Sequence, residues 1–231
     1  MTNLEAIKMN LSRWQETSLT SLSIAGLFSR NPTAYKWKAP FRSWILREAV
    51  CWRLQDLLHQ SVVLYELNHG LGSRVLLRSG FETLAVLIYL NHITRQVLDR
   101  ELNFHDFSEK TTSLTTGSKD GSTETSAINV LTMLDRTDKR YPGIRKVYDS
   151  LSESAHPNWE GLCWGYSKID HDEYETHFVN RWMDLYGAQH LDSVELCMQT
   201  FHYEYNEVWT ELMGRLEIWI ETNDAELETT K

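Results

Sequence analysis

Two stretches of the chain carry the residue types best suited to chemistry. Arg78 and Glu82 lie four apart and so share one face of a helix, and Arg74 extends that stripe by a turn. The surrounding stretch, Val75 to Leu90, is apolar almost all round, the pattern of a helix buried at the centre of a bundle. Burying an unpaired charge costs several kcal/mol, so these groups must be paired or must line a cavity. In the second stretch Tyr148, Ser152 and His156 recur every four residues and form one stripe, followed by Pro157, Asn158 and Trp159. Proline cannot continue a helix, so His156 falls at a helix C-terminus, where the dipole favours the imidazolium.

Two readings follow. In the first, these residues are a satisfied polar network that ties two core helices together. In the second they form a site. His156 is then a general acid/base, Tyr148 and Ser152 assist it, Arg78 clamps an anion and Glu82 orients the clamp. Arg74, Asn158 and Trp159 would line the binding face. A Ser152–His156 nucleophile pair is disfavoured, since neither a strained elbow nor an oxyanion-hole motif accompanies it.

Other clusters are weaker. Asp170, His171, Asp172, Glu173, Glu175 and His177 are dense in hard ligands but match no metal-binding spacing, so an acidic, solvated loop is expected and no metal site. Gly117-Ser-Lys-Asp-Gly121-Ser122 lacks the Gly-Lys-Ser/Thr ending of a phosphate loop. Trp159, Trp164 and Tyr166, with Trp37 and Tyr35, would offer a stacking surface for a base, or seal one end of a bundle. No motif implies a cofactor.

The stretches Arg78-Ser-Gly-Phe-Glu82-Thr-Leu-Ala-Val-Leu-Ile-Tyr89-Leu90 and Tyr148-Asp-Ser-Leu-Ser-Glu-Ser-Ala-His156-Pro157-Asn158 resemble a pattern in uncharacterised bacterial proteins of the HEPN-like helical bundles. Many HEPN-like proteins are RNases of toxin and phage-defence systems. The resemblance implies an α-helical bundle. It also implies a metal-independent RNase in which His156 supplies the acid/base and Arg78 the phosphate clamp, reaching over from a neighbouring helix.

The elements that must position these residues read as helices. Proline occurs only at 32, 40, 142 and 157. A first helix is expected over 3–29, with Leu4, Ile7, Leu11 and Trp14 inward, ended by Asn31-Pro32. A second is expected over 41–68, with Ile45, Trp52, Leu57 and Val63 among its apolar positions, and a turn follows at 68–72. A third is expected over 73–107. Residues 108–126 hold one Leu and no aromatics, and read as a polar flexible loop. Helices are expected again at 127–135, 143–155 and 173–187, with a loop at 157–172 between the last two. The final helix carries Leu191, Val194, Met198, Phe201, Tyr205, Val208, Leu212, Leu216 and Trp219 at spacings of three and four. Acidic residues, Glu204 and Glu217 among them, decorate its other positions. Its length of roughly 45 Å suggests an overhang that pairs with a second copy, and 222–231 reads as a flexible tail.

The fold class is therefore all-α: one helical domain over 1–231, an irregular bundle of six or seven helices. The 231 residues are 42% hydrophobic and 24% charged, ordinary for a globular domain. A net charge of −9 argues against a dedicated polyanion binder, so RNA is a partner only under the RNase reading. Cys51, Cys163 and Cys197 are far apart and form no C-x-x-C pair, which fits a reducing cytoplasm. No apolar stretch is long enough to span a bilayer, so no membrane partner is expected. The expected function is a non-catalytic helical interaction or ligand-binding module of a bacterial defence or toxin system. A homodimer through the C-terminal helix, or a protein partner, fits that reading.

Overall fold

The computed structural model describes residues 2–25, 33 and 37–229. These form nine α-helices and one two-stranded hairpin: α1 (Asn3–Thr17), α2 (Lys38–Glu66), α3 (Gly70–Leu98), α4 (Phe104–Thr116), α5 (Val130–Arg140), α6 (Ile144–Ala155), β1 (Ser167–Asp170), β2 (Glu175–Phe178), α7 (Trp182–Tyr203), α8 (Trp209–Thr222) and α9 (Asp224–Thr229). The all-α bundle expected from the sequence is the architecture found. Two short π-helical segments interrupt it, Trp159–Trp164 after α6 and Glu204–Val208 between α7 and α8. Among the described residues no helix is long and apolar enough to cross a membrane.

The centre is α3. It packs against α2, α4, α5, α6, α7 and α8. Its residues Leu84, Ala85, Leu87 and Leu90 have no exposure, as a helix apolar on every side requires. Helix α2 lies along it, where Gly80 lets Leu54 and Leu58 approach: a Cβ there would stand 3.5 and 3.3 Å from their methyls. That contact sets the rotation of α2. Leu46, Val50, Leu54, Leu58 and Val62 turn inward, while Ile45, Trp52 and Val63, expected as apolar positions of that helix, are exposed.

The element boundaries differ from expectation where polar groups end or sustain a helix locally. Helix α1 stops at Thr17, not near 29. Ser18 bonds back to the Trp14 carbonyl (2.6 Å), and Trp52 Nε1 donates to the Leu19 carbonyl (2.7 Å), holding an extended segment. The expected stop at Asn31-Pro32, and Tyr35, lie outside the described residues. The turn at 68–72 is tighter than expected: Asn68 takes a left-handed φ of 59° and α3 begins at Gly70. The expected helix over 73–107 is two helices. Arg100 also turns left-handed (φ 59°), and Asn103 then caps α4 by accepting from the Asp106 N–H (2.8 Å).

Half of the expected loop at 108–126 is helical. Phe104, Phe107 and Thr111 anchor α4 in the core, and the hydroxyls of Thr112, Thr115 and Thr116 bond to carbonyls one turn back. Polar composition is thereby reconciled with helix, and only the segment from Gly117 to α5 is loop. The expected helix at 173–187 is instead the β2 strand followed by the start of α7, with Tyr174 left-handed at the hairpin turn (φ 56°). The chain end, expected as a tail, forms α9 with Leu227 buried. Along α7 and α8 the apolar stripe faces this chain's own core, with Val194, Phe201, Leu212, Leu216 and Ile220 buried. Glu204 and Glu217, expected outside, are buried with it.

Candidate functional site

Helices α3 and α6 run antiparallel and bring both sequence-predicted stripes together. Arg78 Nε donates to Ser152 Oγ (3.0 Å) and its Nη2 donates to the Tyr148 hydroxyl (3.1 Å). The same Nη2 is 3.1 Å from Glu82 Oε1, to which Tyr148 also donates (3.0 Å). Four of the five residues expected to act together therefore meet in one network. It is not sealed: the Arg78 and Glu82 side chains keep 26% and 25% of their exposure.

His156 does not join it. It sits one turn beyond Ser152 as the C-cap of α6, its backbone N–H bonded to the Ser152 carbonyl (3.2 Å). Its imidazole is exposed and makes no hydrogen bond among the described residues. The chain reverses there. Asn158 N–H donates to the His156 carbonyl (2.8 Å), and Asn158 Oδ1 accepts from the Gly161 N–H (3.0 Å), opening the first π segment. Gly161 is required by this corner, since a Cβ would stand 1.9 Å from the His156 carbonyl oxygen.

The residues expected to line a binding face divide. Arg74 is buried. Its Nε donates to Ser154 Oγ (2.8 Å), its Nη2 donates to the carbonyl and hydroxyl of Ser150 (3.0 and 3.2 Å), and its guanidinium lies over the Tyr186 ring at 3.9 Å. Burial lowers the Arg74 pKa; Tyr186 and Glu160 oppose that. Tyr186 is pushed up to about 12, first by burial and then by its hydrogen bond to Glu160. Asn158 is a cap and is committed to the turn. Trp159 is 65% exposed and stacks on Trp164 at 5.2 Å. Trp37, from the same aromatic group, lies elsewhere, edge-on to Phe104 at 5.3 Å. Among the described residues no three His, Cys, Asp or Glu side chains converge to hold a metal ion.

Three polar clusters escape sequence reasoning. The first joins α2, α3 and α7. Ser61 and Ser73 donate their hydroxyl protons to one another's carbonyls (2.8 and 2.7 Å), and His190 Nε2 lies 2.6 Å from Ser73 Oγ and 3.1 Å from Ser61 Oγ. The other ring nitrogen, Nδ1, is left buried without a partner. Burial, and secondarily the Arg74 charge, pull the His190 pKa down to about 4.

The second cluster surrounds the fully buried Glu204. It accepts from Asn91 Nδ2 (2.7 Å), from Arg140 and from the Tyr141 hydroxyl. Tyr141 is raised to about 12, mostly by burial and then by that bond. The third cluster stacks the Arg47 guanidinium on Tyr205 (3.5 Å) and Trp209 (4.5 Å), with Glu48 accepting from Arg47 and from the Tyr205 hydroxyl (3.0 and 2.9 Å). The one available signal was spacing: Glu204 lies three residues after Phe201 and four before Val208, so it shares their face of the helix although it is expected outside, and a polar residue there must find buried partners.

Arg47 and Tyr205 of the third cluster line a groove of about 840 Å³ between α1, α2 and α7, together with Arg13, Trp14, Gln199 and His202. The Arg13 guanidinium has no partner among the described residues. No family model, no curated protein and no solved structure matches the chain.

Proposed function

We propose that this chain is a non-catalytic helical module that binds a ligand or partner, with the α1–α2–α7 groove as its binding surface. One observation carries the reading. Arg78 Nε and Nη2 are already engaged by Ser152, Tyr148 and Glu82, while His156, the required acid/base, stands outside that network with no orienting partner. An acid/base poised for catalysis is normally held by a hydrogen bond that fixes its tautomer. A clamp for phosphate needs donors that its own chain has not taken. The Arg78 network fits a tie between α3 and α6. The groove, in contrast, offers the uncommitted Arg13 beside the rings of Trp14 and Tyr205, a setting for a negatively charged ligand with a flat apolar part.

The rival reading is the HEPN-like RNase of a toxin or defence system, using His156 and Arg78. The partly exposed junction at which Arg78, Glu82, Tyr148 and Ser152 meet is the observation in its favour. Growth after induction of wild type and His156→Ala, with total RNA resolved on a gel, separates the two. The expected outcome is unimpaired growth and intact RNA from both. Arrest with RNA cleavage by wild type, lost in His156→Ala, would overturn the binding-module reading.

A further inference from the structure

The β1–β2 hairpin is a two-stranded sheet, with no other strand beside it among the described residues. All four residues of β2 are exposed. The hairpin carries the two most exposed large apolar side chains described, Tyr174 at 94% and Phe178 at 85%, and Ile169 beside them is 59% exposed. An isolated hairpin of this kind is marginal in water, and an open strand edge is a template for another strand.

The two edges are not equivalent. Arg181 Nη1 donates to the Ser167 carbonyl (2.7 Å) and so covers the start of the outer edge of β1. On β2 the ladder bond from Val179 N–H to the Tyr166 carbonyl (3.0 Å) sets the alternation, so the main-chain groups of Thr176 and Phe178 face away from β1.

The charges on this hairpin are only partly matched within a two-stranded unit. The register sets Asp170 opposite Glu175 and Lys168 opposite His177 on one face. A directly opposed pair of carboxylates is unfavourable, and within one chain it is relieved only by the turn, where Asp170 Oδ1 accepts from the Asp172 and Glu173 N–H groups (3.0 and 3.1 Å), and by His177 Nε2 of the same strand at 3.8 Å from Glu175 Oε2. The same four residues become complementary when a second β2 lies antiparallel to the first across a two-fold axis at Thr176. Glu175 then faces His177 of the other copy, twice. The two rows read acidic, acidic, basic, basic across four strands when the histidines are protonated, and neutral histidines still donate to the facing carboxylates. On the opposite face Ile169 and Thr176 meet their counterparts in a β-branched strip, which strands favour. Phe178 comes level with Tyr174 of the other copy. Thr176 on the axis takes the hydrogen-bonded position that its outward main-chain groups demand.

We infer that the free edge of β2 pairs with β2 of a second copy of this chain, making a four-stranded antiparallel sheet held by reciprocal Glu175–His177 contacts. This interface is separate from the α1–α2–α7 groove and from the C-terminal helix.

Sedimentation equilibrium of the full chain over a range of concentrations tests it. Wild type should show a concentration-dependent dimer. Glu175→Lys should raise the dimer dissociation constant roughly tenfold, since two facing pairs change sign. The double variant Glu175→Lys/His177→Glu should restore wild-type association. Thr176→Pro removes only an outward N–H and should be monomeric with an unchanged far-ultraviolet spectrum. A wild type that is monomeric throughout would overturn the inference. So would a dimer indifferent to Glu175→Lys and Thr176→Pro, or a charge swap that fails to restore association.

Discussion

Glu82 holds two donors at once, Arg78 Nη2 at 3.1 Å and the Tyr148 hydroxyl at 3.0 Å, yet a quarter of its side chain meets water. Water can therefore replace part of what Glu82→Ala removes. The expected loss is about 1–2 kcal/mol, seen as a lower thermal midpoint, with Glu82→Gln losing less because it still accepts from Tyr148. A midpoint equal to wild type in Glu82→Ala would refute the tie. His190 makes a different prediction. Its folded pKa of about 4 lies below the value near 6.5 expected of the unfolded chain. As the pH falls from about 6.5 towards 4, the unfolded chain takes up a proton that the folded ring refuses. Stability present above 6.5 is therefore lost across that window, by about 3 kcal/mol. Chemical denaturation of wild type and His190→Gln at pH 7 and pH 4.5 should show the smaller drop in the variant; equal drops would exclude His190 as the cause. The site was half legible in the sequence. Spacing alone placed Arg78 with Glu82, and Tyr148 with Ser152, on shared faces. The exclusion of His156 from that network was not legible, because the reversal at Asn158 and Gly161 is made by backbone bonds that no residue spacing encodes.

Among the elements, the corner after α6 depends on a contact that only glycine permits. Gly161→Ala would drive a methyl into the His156 carbonyl and should destabilise by about 1–3 kcal/mol. Gly214→Ala, in α8 with open space around the new methyl, should instead raise stability by about 0.5–1 kcal/mol. Thermal midpoints of the two variants shifting in the same direction would contradict this account of the corner. Element types were read correctly wherever an apolar period ran uninterrupted, as in α3, α6 and the last helices. They were misread where local polar bonds decided. Hydroxyl-to-carbonyl bonds carry α4 through Thr112, Thr115 and Thr116, and Ser18 ends α1 with no glycine or proline nearby. The face of α2 was misread for another reason: apolar residues lie on both of its sides, and the fit of Leu54 and Leu58 over Gly80 chooses between them.

For the molecule as a whole, the all-α class followed from helical periodicity and from the scarcity of proline, and the hairpin is the one two-stranded departure among the described residues. The hairpin was hidden because its strands are short, exposed and charged, so no alternation with a buried face marks them. The central position of α3 has a further consequence. A helix with neighbours on all sides cannot absorb a change of side-chain volume by shifting, since each shift is resisted from another direction. Its sequence is therefore the least free to drift. Arg78 and Glu82 lie on that helix and share its constraint, so invariance at these two positions over evolutionary time would record the demands of packing before it recorded any ligand or reaction.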